Sequence, residues 1–390
     1  MKITHIETFL VNATWRNWLF LKVHTDRPGL YGVSEATLEG KERTVATALE
    51  EMVPSILGKD PLDIESHWQS LYYRENYWVG GAVFNTALAG LEIALWDILG
   101  KVTNQPVYRL LGGKCRNRLK TYANGWYFGA STPAEFAEKA RETVEKGYRA
   151  LKFDPFGNAD RMIEKELEDA ALETVHAVRE AVGPAVGLMI EAHGRFNVYT
   201  AVRLALALER FDIFWYEEPL PPENIDALAE VKSRINIPVA AGERIFTKWD
   251  YRNLLKNRAV DIVQLDVAHT GGLLEAKKVA AIAEAEYIPV APHEAGGPVH
   301  AAYTIHFDFC TPNFAIQEVF LNEVPWAKGI VTGGFELAGG MYVPNDRPGL
   351  GVELNVEEMK KYPFKSVNIS FFSTSPEDNL MLGKSSAKQE

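Results

Sequence analysis

From residue 119 onward the chain repeats one pattern, in which a short apolar run ends in a polar residue and leads into a helical segment. The first helical segment carries its own boundary signals: Thr132, Pro133 and Glu135 indicate an N-cap with a capping box, and Gly147 is a C-cap candidate. Strands that alternate with helices of this length pair in parallel through right-handed crossovers. The pattern predicts eight strands that close into a (β/α) barrel, beginning at Leu119, Arg149, Gly187, Ile213, Pro238, Val260, Ile288 and Asn313.

The first 118 residues follow a different pattern. Runs beginning at Met1, Asn17 and Gly29 alternate like antiparallel strands, and two helical patterns follow at 43–57 and 85–101. An α+β domain is therefore predicted over residues 1–118. The segment after residue 326 is rich in Gly and Pro and lacks the barrel pattern, so 327–390 is expected to return to the first domain and 119–326 to form the barrel.

Polar residues stand where the predicted strands end. In the run GLMIEAHGRFN (187–197), Glu191 and His193 lie two residues apart at the end of an apolar strand, so their side chains share one face. A buried carboxylate without a partner is costly. This face therefore either is exposed at a loop or holds a cation.

Residues of this kind recur at steps of 23 to 27 residues, about one βα unit: Glu191, Glu217, Glu243, Asp266, His293 and Glu318. In a barrel such residues converge on the mouth at the carboxyl ends of the strands, where active sites lie. Each carboxylate taken alone is explained by an ion pair with a barrel Lys or Arg. Three on consecutive strands instead predict the oxygen-rich site that Mg²⁺ prefers, formed by Glu191, Glu217 and Glu243.

Two of the nine histidines, His193 and His293, end strands within this series. Asp266, one strand before His293, is placed to hold that imidazole in one tautomer and to raise its basicity, as a carboxylate does for a catalytic histidine. The remaining histidines are expected to have packing, capping or surface roles: His5, His24, His67, His176, His269, His300 and His306.

Lys152 lies near the end of the second barrel strand. A Schiff-base lysine of the aldolase type would need a depressed pKa, whereas neighbouring carboxylates raise the pKa of a lysine and favour a permanent cation. We therefore interpret Lys152 as an electrostatic partner for a bound anion. Asp154 is either its neighbour in the mouth or a simple ion-pair partner.

Amino-acid composition and net charge limit the kinds of molecule that this chain is expected to bind. With 47% hydrophobic and 24% charged residues the chain is typical of a globular protein, and a net charge of −11 argues against nucleic acid and anionic membrane surfaces. Only Cys115 and Cys310 are present, and neither a signal-peptide pattern nor a run of transmembrane length is recognised. A reducing, cytoplasmic location is expected.

Several motifs together resemble the enolase superfamily and, within it, the mandelate racemase subgroup: YEEP, AGERI, QLD followed by GG, APHEAGGP, ALWDILGK and LLGG. The stretches YANGWY, ALKFDPFG and IEAHGRFN are most similar to sugar-acid dehydratases of the D-gluconate and D-galactonate type. The resemblance covers nearly the whole chain. It implies an α/β fold with a modified TIM (β/α)7β-type barrel and an α+β N-terminal capping domain completed by the C-terminal segment.

The resemblance also implies roles for the strand-end residues. Mg²⁺ would be bound by the three glutamates and would hold the substrate carboxylate together with Lys152. The Asp266–His293 dyad would act as the base and His193 as the general acid, and Glu318 would hydrogen-bond the enolate. Subgroup members with two bases carry Lys-x-Lys where this chain has Lys152-Phe153-Asp154, which disfavours racemisation. Glu191 stands where many members have Asp, which keeps the ligand type.

The implied reaction is the Mg-dependent dehydration of an aldonate to a 2-keto-3-deoxy acid through an enediolate. The alternatives are an acid-sugar epimerase or cycloisomerase on the same fold, a metal-free aldolase, and a non-catalytic ligand-binding barrel. Loops at 12–18 and 73–81 have the aromatic, polar and Gly content of lids. Candidate substrate contacts are Trp15, Arg16, Trp78 and Asp154. The expected partners are a small sugar acid and further copies of the chain.

Overall fold

The computed structural model describes residues 1–74, 77–321, 324–367 and 369. The N-terminal part is a three-stranded antiparallel sheet covered by helices, in which the central strand pairs with both others. Its elements are β1 (Ile3–Ala13), β2 (Arg16–Thr25), β3 (Tyr31–Glu35), α1 (Glu42–Met52), α2 (Ile64–Gln69), α3 (Gly81–Thr103) and α4 (Val107–Leu110), with a 3₁₀ turn at Val53–Ser55 and a π turn at Ser70–Arg74. This is the α+β cap that the alternating runs predict.

Helix α3 is the core helix of the cap. It is long and apolar enough to cross a membrane, which the sequence pattern did not indicate, but 78% of its most apolar window is buried inside the protein. A helix that is hydrophobic on all sides is typical of a buried core position. Its apolar character is therefore explained by packing against the sheet and the barrel.

Residues 119–320 form a closed barrel of parallel strands. Pairing follows chain order from the first strand to the sixth, and the last strand pairs with the first, which closes the ring. The strands are β4 (Leu119–Asn124), β5 (Ala150–Phe153), β6 (Gly187–Glu191), β7 (Ile213–Glu217), β8 (Val239–Ala241), β9 (Ile262–Val263) and β10 (Gln317–Phe320). The helices are α5 (Pro133–Glu145), α6 (Lys165–Val182), α7 (Val198–Leu208), α8 (Ile225–Ser233), α9 (Thr247–Lys256), α10 (Val267–Thr270), α11 (Leu273–Ala285) and α12 (Pro298–Phe309), with a 3₁₀ turn at Glu209–Phe211.

The seventh strand position of the barrel is shorter than predicted. The sequence predicts a regular strand from Ile288. The structure instead has a single residue there, Val290, which forms isolated parallel bridges to Val263 and to Phe314 on either side. Pro289 and Pro292 carry no amide N–H and so cannot donate to a sheet ladder. The amide of His293 still donates a hydrogen bond of 3.0 Å to the carbonyl of Leu265, which follows the sixth strand, and this brings His293 to the barrel mouth.

The described part of the C-terminal segment contacts both domains. One strand of it pairs antiparallel with β4 of the barrel, while Trp326 stacks on Tyr362 (4.5 Å between ring centroids) and Tyr362 O accepts the amide of Asn12 in the cap. The segment comprises α13 (Ala327–Ile330), β11 (Val331–Gly333), β12 (Leu337–Ala338), β13 (Met341–Tyr342), β14 (Val352–Leu354) and α14 (Val356–Met359). Residues 370–390 lie outside the described part of the chain, so the predicted return of 327–390 can be followed only up to 369.

Asp97 on α3 ties this segment to the cap. Its buried carboxylate accepts the amides of Val33 (2.9 Å) and Leu350 (2.8 Å) and pairs with Lys101 (2.8 Å). Asp97→Ala is expected to lower the free energy of unfolding by about 3–5 kcal/mol in urea denaturation, because it leaves buried donors without a partner. Asp169→Ala, which removes an exposed ion pair, should cost less than about 1 kcal/mol. Equal losses in the two variants would contradict this anchoring role.

Candidate active site

A cavity of about 290 Å³ lies at the carboxyl ends of the barrel strands and is covered by cap residues. The cap contributes Thr37, Leu38, Glu39 and Ala82 to its lining. Of the residues singled out from the sequence, seven line this cavity: Trp15, Lys152, Glu191, His193, Glu243, Asp266 and His293. Four of the six residues in the strand-end series therefore line one mouth, together with one residue of the first cap loop, while Glu217 and Glu318 are buried and outside this lining.

The three glutamates are brought together by the barrel. Glu191 lies opposite Glu217 in the pairing of β6 with β7, and Glu243 follows β8 by two residues. One carboxylate oxygen of each lies within 4.8 Å of the other two. Burial, with repulsion from Glu191, raises the pKa of Glu217 to about 8. Three clustered carboxylates need positive charge, and their all-oxygen donor set fits a divalent cation such as Mg²⁺.

Lys152 places one positive charge beside this group. Its Nζ lies 2.5 Å from Glu217, 3.0 Å from Glu318 and 3.4 Å from Glu191. Burial opposes a charged ammonium, but the surrounding carboxylates outweigh it and raise the pKa of Lys152 well above its usual value. An amine held in its charged form is a poor nucleophile, so the geometry disfavours the Schiff-base alternative.

Glu318 lies buried behind the cavity lining at β10. Its carboxylate accepts hydrogen bonds from Asn124 Nδ2 and from the amide of Glu294, both over 2.8 Å, and pairs with Lys152. Burial opposes ionisation, but Lys152 and His293 outweigh it and lower the pKa of Glu318. Glu318 accepts these hydrogen bonds and pairs with Lys152, and its hydrogen bond to an enolate stays a prediction from the resemblance.

His293 and Asp266 form a hydrogen-bonded dyad. His293 Nδ1 lies 2.7 Å from Asp266 Oδ2, while Nε2 lies 3.7 Å from Glu243 and so faces the carboxylate group. Burial opposes protonation of the imidazole, but Glu243, Asp266 and Glu318 outweigh it and raise the pKa of His293 well above its usual value. The hydrogen bond to Asp266 fixes one imidazole nitrogen and leaves Nε2 facing the carboxylate group, which is the arrangement of a general base.

Two histidines that the sequence assigned to packing belong to the same network. His300 Nε2 lies 3.2 Å from Asp266 Oδ1, His269 Nε2 lies 3.6 Å from Oδ2, and both line the cavity. Burial opposes the charge on Asp266, but these two imidazoles and His293 lower its pKa well below the ordinary value. Their position shortly after the strand-end residues Asp266 and His293 was the only sequence signal for this role.

His193 reaches the cavity through an unusual backbone conformation. Its φ of +50° lies in the left-handed region, which turns the chain directly after β6. Nδ1 lies 2.8 Å from Asp154 Oδ2. Burial opposes protonation, but Glu191 and Asp154 outweigh it and raise the pKa of His193. A histidine that holds its proton in this way suits the role of a general acid.

Asp154 lies behind His193 and does not line the cavity. Its carboxylate accepts the amide of Phe156 (2.9 Å) and pairs with His193 and with the buried Arg195. Burial opposes its ionisation, but Arg195 and His193 outweigh it and lower the pKa of Asp154. The structure thus gives Asp154 an orienting role toward His193 and no position for the predicted substrate contact. Arg195, which sequence reasoning missed, fixes this carboxylate.

Only one of the three cap candidates reaches the cavity. Trp15 lines it, and the guanidinium of Arg16 lies 4.5 Å from the Trp15 ring centroid. Arg16 is buried and paired with Glu39, so it holds the loop in place rather than facing the cavity. Trp78 is 86% exposed and outside the lining. Residues 75 and 76 of the second loop lie outside the described residues.

Known proteins are similar to this chain in sequence and in fold. Residues 9–112 match the mandelate racemase/muconate lactonizing enzyme N-terminal domain, and residues 135–359 match the enolase C-terminal domain-like family. A D-galactonate dehydratase from Verminephrobacter eiseniae is 36% identical over 361 residues (91% of this chain and 92% of the relative). A D-gluconate/D-galactonate dehydratase from Picrophilus torridus is 35% identical over 350 residues (90% of each chain).

A solved structure of a member of the enolase superfamily from Salmonella Typhimurium has the same architecture. It superposes with a TM-score of 0.88 at 31% identity, over 93% of this chain and 98% of that one. The family resemblance and the fold class predicted from the sequence are confirmed.

Proposed function

We propose a reaction for this chain, which belongs to the mandelate racemase/muconate lactonizing enzyme group of the enolase superfamily. The proposed activity is that of a Mg-dependent hydro-lyase that converts an aldonate, such as gluconate or galactonate, to a 2-keto-3-deoxy acid. One observation carries the proposal: a histidine–aspartate dyad and a second carboxylate-held histidine line one cavity beside three clustered carboxylates. Relatives that match along about 90% of their length are named sugar-acid dehydratases.

The difficulty of the reaction is the removal of a proton from the carbon next to a carboxylate, because the enediolate that forms carries a second negative charge. Glu191, Glu217 and Glu243 would hold a divalent cation, which would supply charge stabilisation at the substrate carboxylate. Lys152, kept charged by Glu191, Glu217 and Glu318, presents its ammonium to that end of the substrate. Because these groups are buried and fixed, little reorganisation is needed as the charge develops.

Two histidines move the protons. His293 takes the α-proton at Nε2, since Nδ1 faces Asp266, and Asp266 stabilises the imidazolium that results. His193, held by Asp154, gives its proton to the departing β-hydroxyl, which leaves as water. One C–H bond and one C–O bond are broken and a carbon–carbon double bond forms. The enol then takes a solvent proton at C3 and releases the proton of its C2 hydroxyl to solvent, which gives the 2-keto acid.

Epimerisation is the alternative reaction on this fold, and it requires a second base on the opposite face of the substrate, for which the candidate site residues offer only His193 or Lys152. The position where two-base members carry the second lysine is occupied here by Asp154, which is buried and bound to His193 and Arg195. This favours elimination. A cytoplasmic location and association with further copies of the chain stay predictions from the sequence.

Product analysis tests the reaction directly. With Mg²⁺ and a library of aldonic and aldaric acids, we expect an aldonate to give a 2-keto product, measured by semicarbazide absorbance, that carries deuterium at C3 when the reaction is run in D₂O. Exchange of the α-hydrogen without keto product would assign epimerisation instead. Neither product nor exchange with any acid of the library would reject the proposal.

Loss of the general acid separates the two proton transfers. His193→Ala is expected to lower the rate of dehydration by about 10²–10⁴-fold, the usual contribution of a positioned acid, while His293 continues to exchange the α-hydrogen with solvent. Exchange is measured by NMR in D₂O and dehydration by keto-acid formation. His176→Ala, which removes an exposed histidine on α6, is the control and should retain both rates. Full dehydration by His193→Ala would remove this role.

A further inference from the structure

A second group of metal-binding side chains lies on the outer face of the cap sheet, among residues that do not line the cavity. His5 and Glu7 on β1 and His24 on β2 each offer a donor atom, and these atoms lie within 4.8 Å of one another. His5 stands directly opposite His24 in the pairing of the two strands, and Glu7, two residues further on, shares their face. His5 and Glu7 are exposed and His24 is half-buried, so the donors are accessible from solvent.

The donors are already close to the spacing that one ion needs. The imidazole rings of His5 and His24 are stacked, with centroids 4.1 Å apart and planes at 6°. His24 Nε2 lies 2.7 Å from Glu7 Oε2. In a tetrahedral zinc site with bonds of about 2.0–2.2 Å, neighbouring donors are about 3.3 Å apart. The strand pairing already sets His5 beside His24, and binding of one ion requires both imidazoles to rotate out of this stacked arrangement.

Neighbouring side chains leave these donors available. Thr4 Oγ1 lies 3.2 Å from His5 Nδ1, and an Nδ1–H that donates to this hydroxyl leaves the Nε2 lone pair for a metal. Lys22 stands opposite Glu7 in the strand pairing, but its Nζ lies over the ring of Tyr31, 4.5 Å from the centroid. The ammonium is thereby drawn to the aromatic ring, and Glu7 keeps its contact with His24.

We propose that His5, Glu7 and His24 bind one late first-row divalent cation of the Zn²⁺ class, through two imidazole nitrogens and one carboxylate oxygen, with solvent completing the coordination. Imidazole suits Zn²⁺, Ni²⁺ and Cu²⁺, whereas Mg²⁺ prefers the all-oxygen group in the cavity. The two sites therefore differ in the metals they select. An ion at this position cross-links β1 to β2 and stabilises the edge of the cap.

Zinc titration of the full-length protein tests the proposal. In excess Mg²⁺, isothermal titration calorimetry with Zn²⁺ is expected to show one more equivalent bound by the wild type than by His24→Ala. Glu7→Gln should weaken that equivalent by at least about tenfold. His176→Ala removes an exposed histidine outside the group and should bind as the wild type does. Circular dichroism checks that each variant is folded.

The outcome is independent of the proposed dehydration. His24→Ala lies outside the catalytic group, so its turnover with Mg²⁺ should equal that of the wild type whatever the substrate proves to be. Equal Zn²⁺ stoichiometry in the wild type, His5→Ala and His24→Ala would overturn the site. So would an equal loss of zinc in His176→Ala, because binding would then depend on the number of histidines and not on this group.

Discussion

Replacing His293 by asparagine is expected to abolish turnover while the binding of the substrate carboxylate survives. Asparagine is close in shape to part of the imidazole, but its amide cannot accept the α-proton. As His293 is the only base that the proposed mechanism uses, kcat should fall by about 10⁴-fold, the upper range for a positioned acid or base. The carboxylate-binding groups, Lys152 and the three clustered glutamates, are left intact. Keto-acid formation measures kcat, and calorimetric titration with substrate measures binding.

His269→Asn is the matched control for this variant. His269 lines the same cavity and approaches the same Asp266, but at 3.6 Å where His293 lies at 2.7 Å. Its loss changes the surroundings of the dyad without removing the base, so the fall in kcat should be much smaller. The reverse ranking of the two variants would assign proton abstraction to His269. Loss of substrate binding in His293→Asn would show that the variant disturbs more than the proton transfer.

The barrel and its mouth were predictable because their signals are periodic. A strand that ends in a polar residue every 23 to 27 positions specifies both the parallel barrel and the edge at which those residues meet. The pairing of Glu191 with Glu217 follows from the same register. The seventh strand position shows the limit of this reasoning. Pro289 and Pro292 have no amide N–H to donate to a sheet, although the chain still runs alongside the sixth strand.

The groups that orient the catalytic side chains could not be predicted in the same way. Arg195 and Asp154 lie 41 positions apart on two βα loops, and only the folded chain brings their side chains together as an ion pair. His269 and His300 lie on helices, and their position shortly after Asp266 and His293 does not specify that both side chains turn toward Asp266. The first cap loop shows the same limit, because the side chains of two adjacent residues point in different directions. Trp15 lines the cavity, whereas Arg16 is buried and pairs with Glu39. Local pattern does not specify such side-chain directions.

Removing divalent cations with EDTA is expected to abolish activity, and Mg²⁺ to restore it. Glu191, Glu217 and Glu318 surround the single ammonium of Lys152, and Glu243 adds a further carboxylate to the cluster. Carboxylates held this close together can all be ionised, and can tolerate a substrate carboxylate beside them, only when a cation offsets their charge. Turnover measured as a function of Mg²⁺ concentration, with the chelated protein as the starting point, checks the dependence.

Glu217 and its neighbour Glu218 give a matched pair of variants for the same question. Both are buried, but Glu217 belongs to the carboxylate cluster, whereas Glu218 pairs with Arg244 over 2.6 Å. Glu217→Gln should weaken Mg²⁺ binding by more than about 100-fold, since loss of a group that merely supports a ligand already costs 10–100-fold. Glu218→Gln should weaken it far less. Activity that resists EDTA, together with borohydride trapping of substrate on Lys152, would instead assign the chain to the metal-free aldolases, because only a Schiff base is reduced in that way.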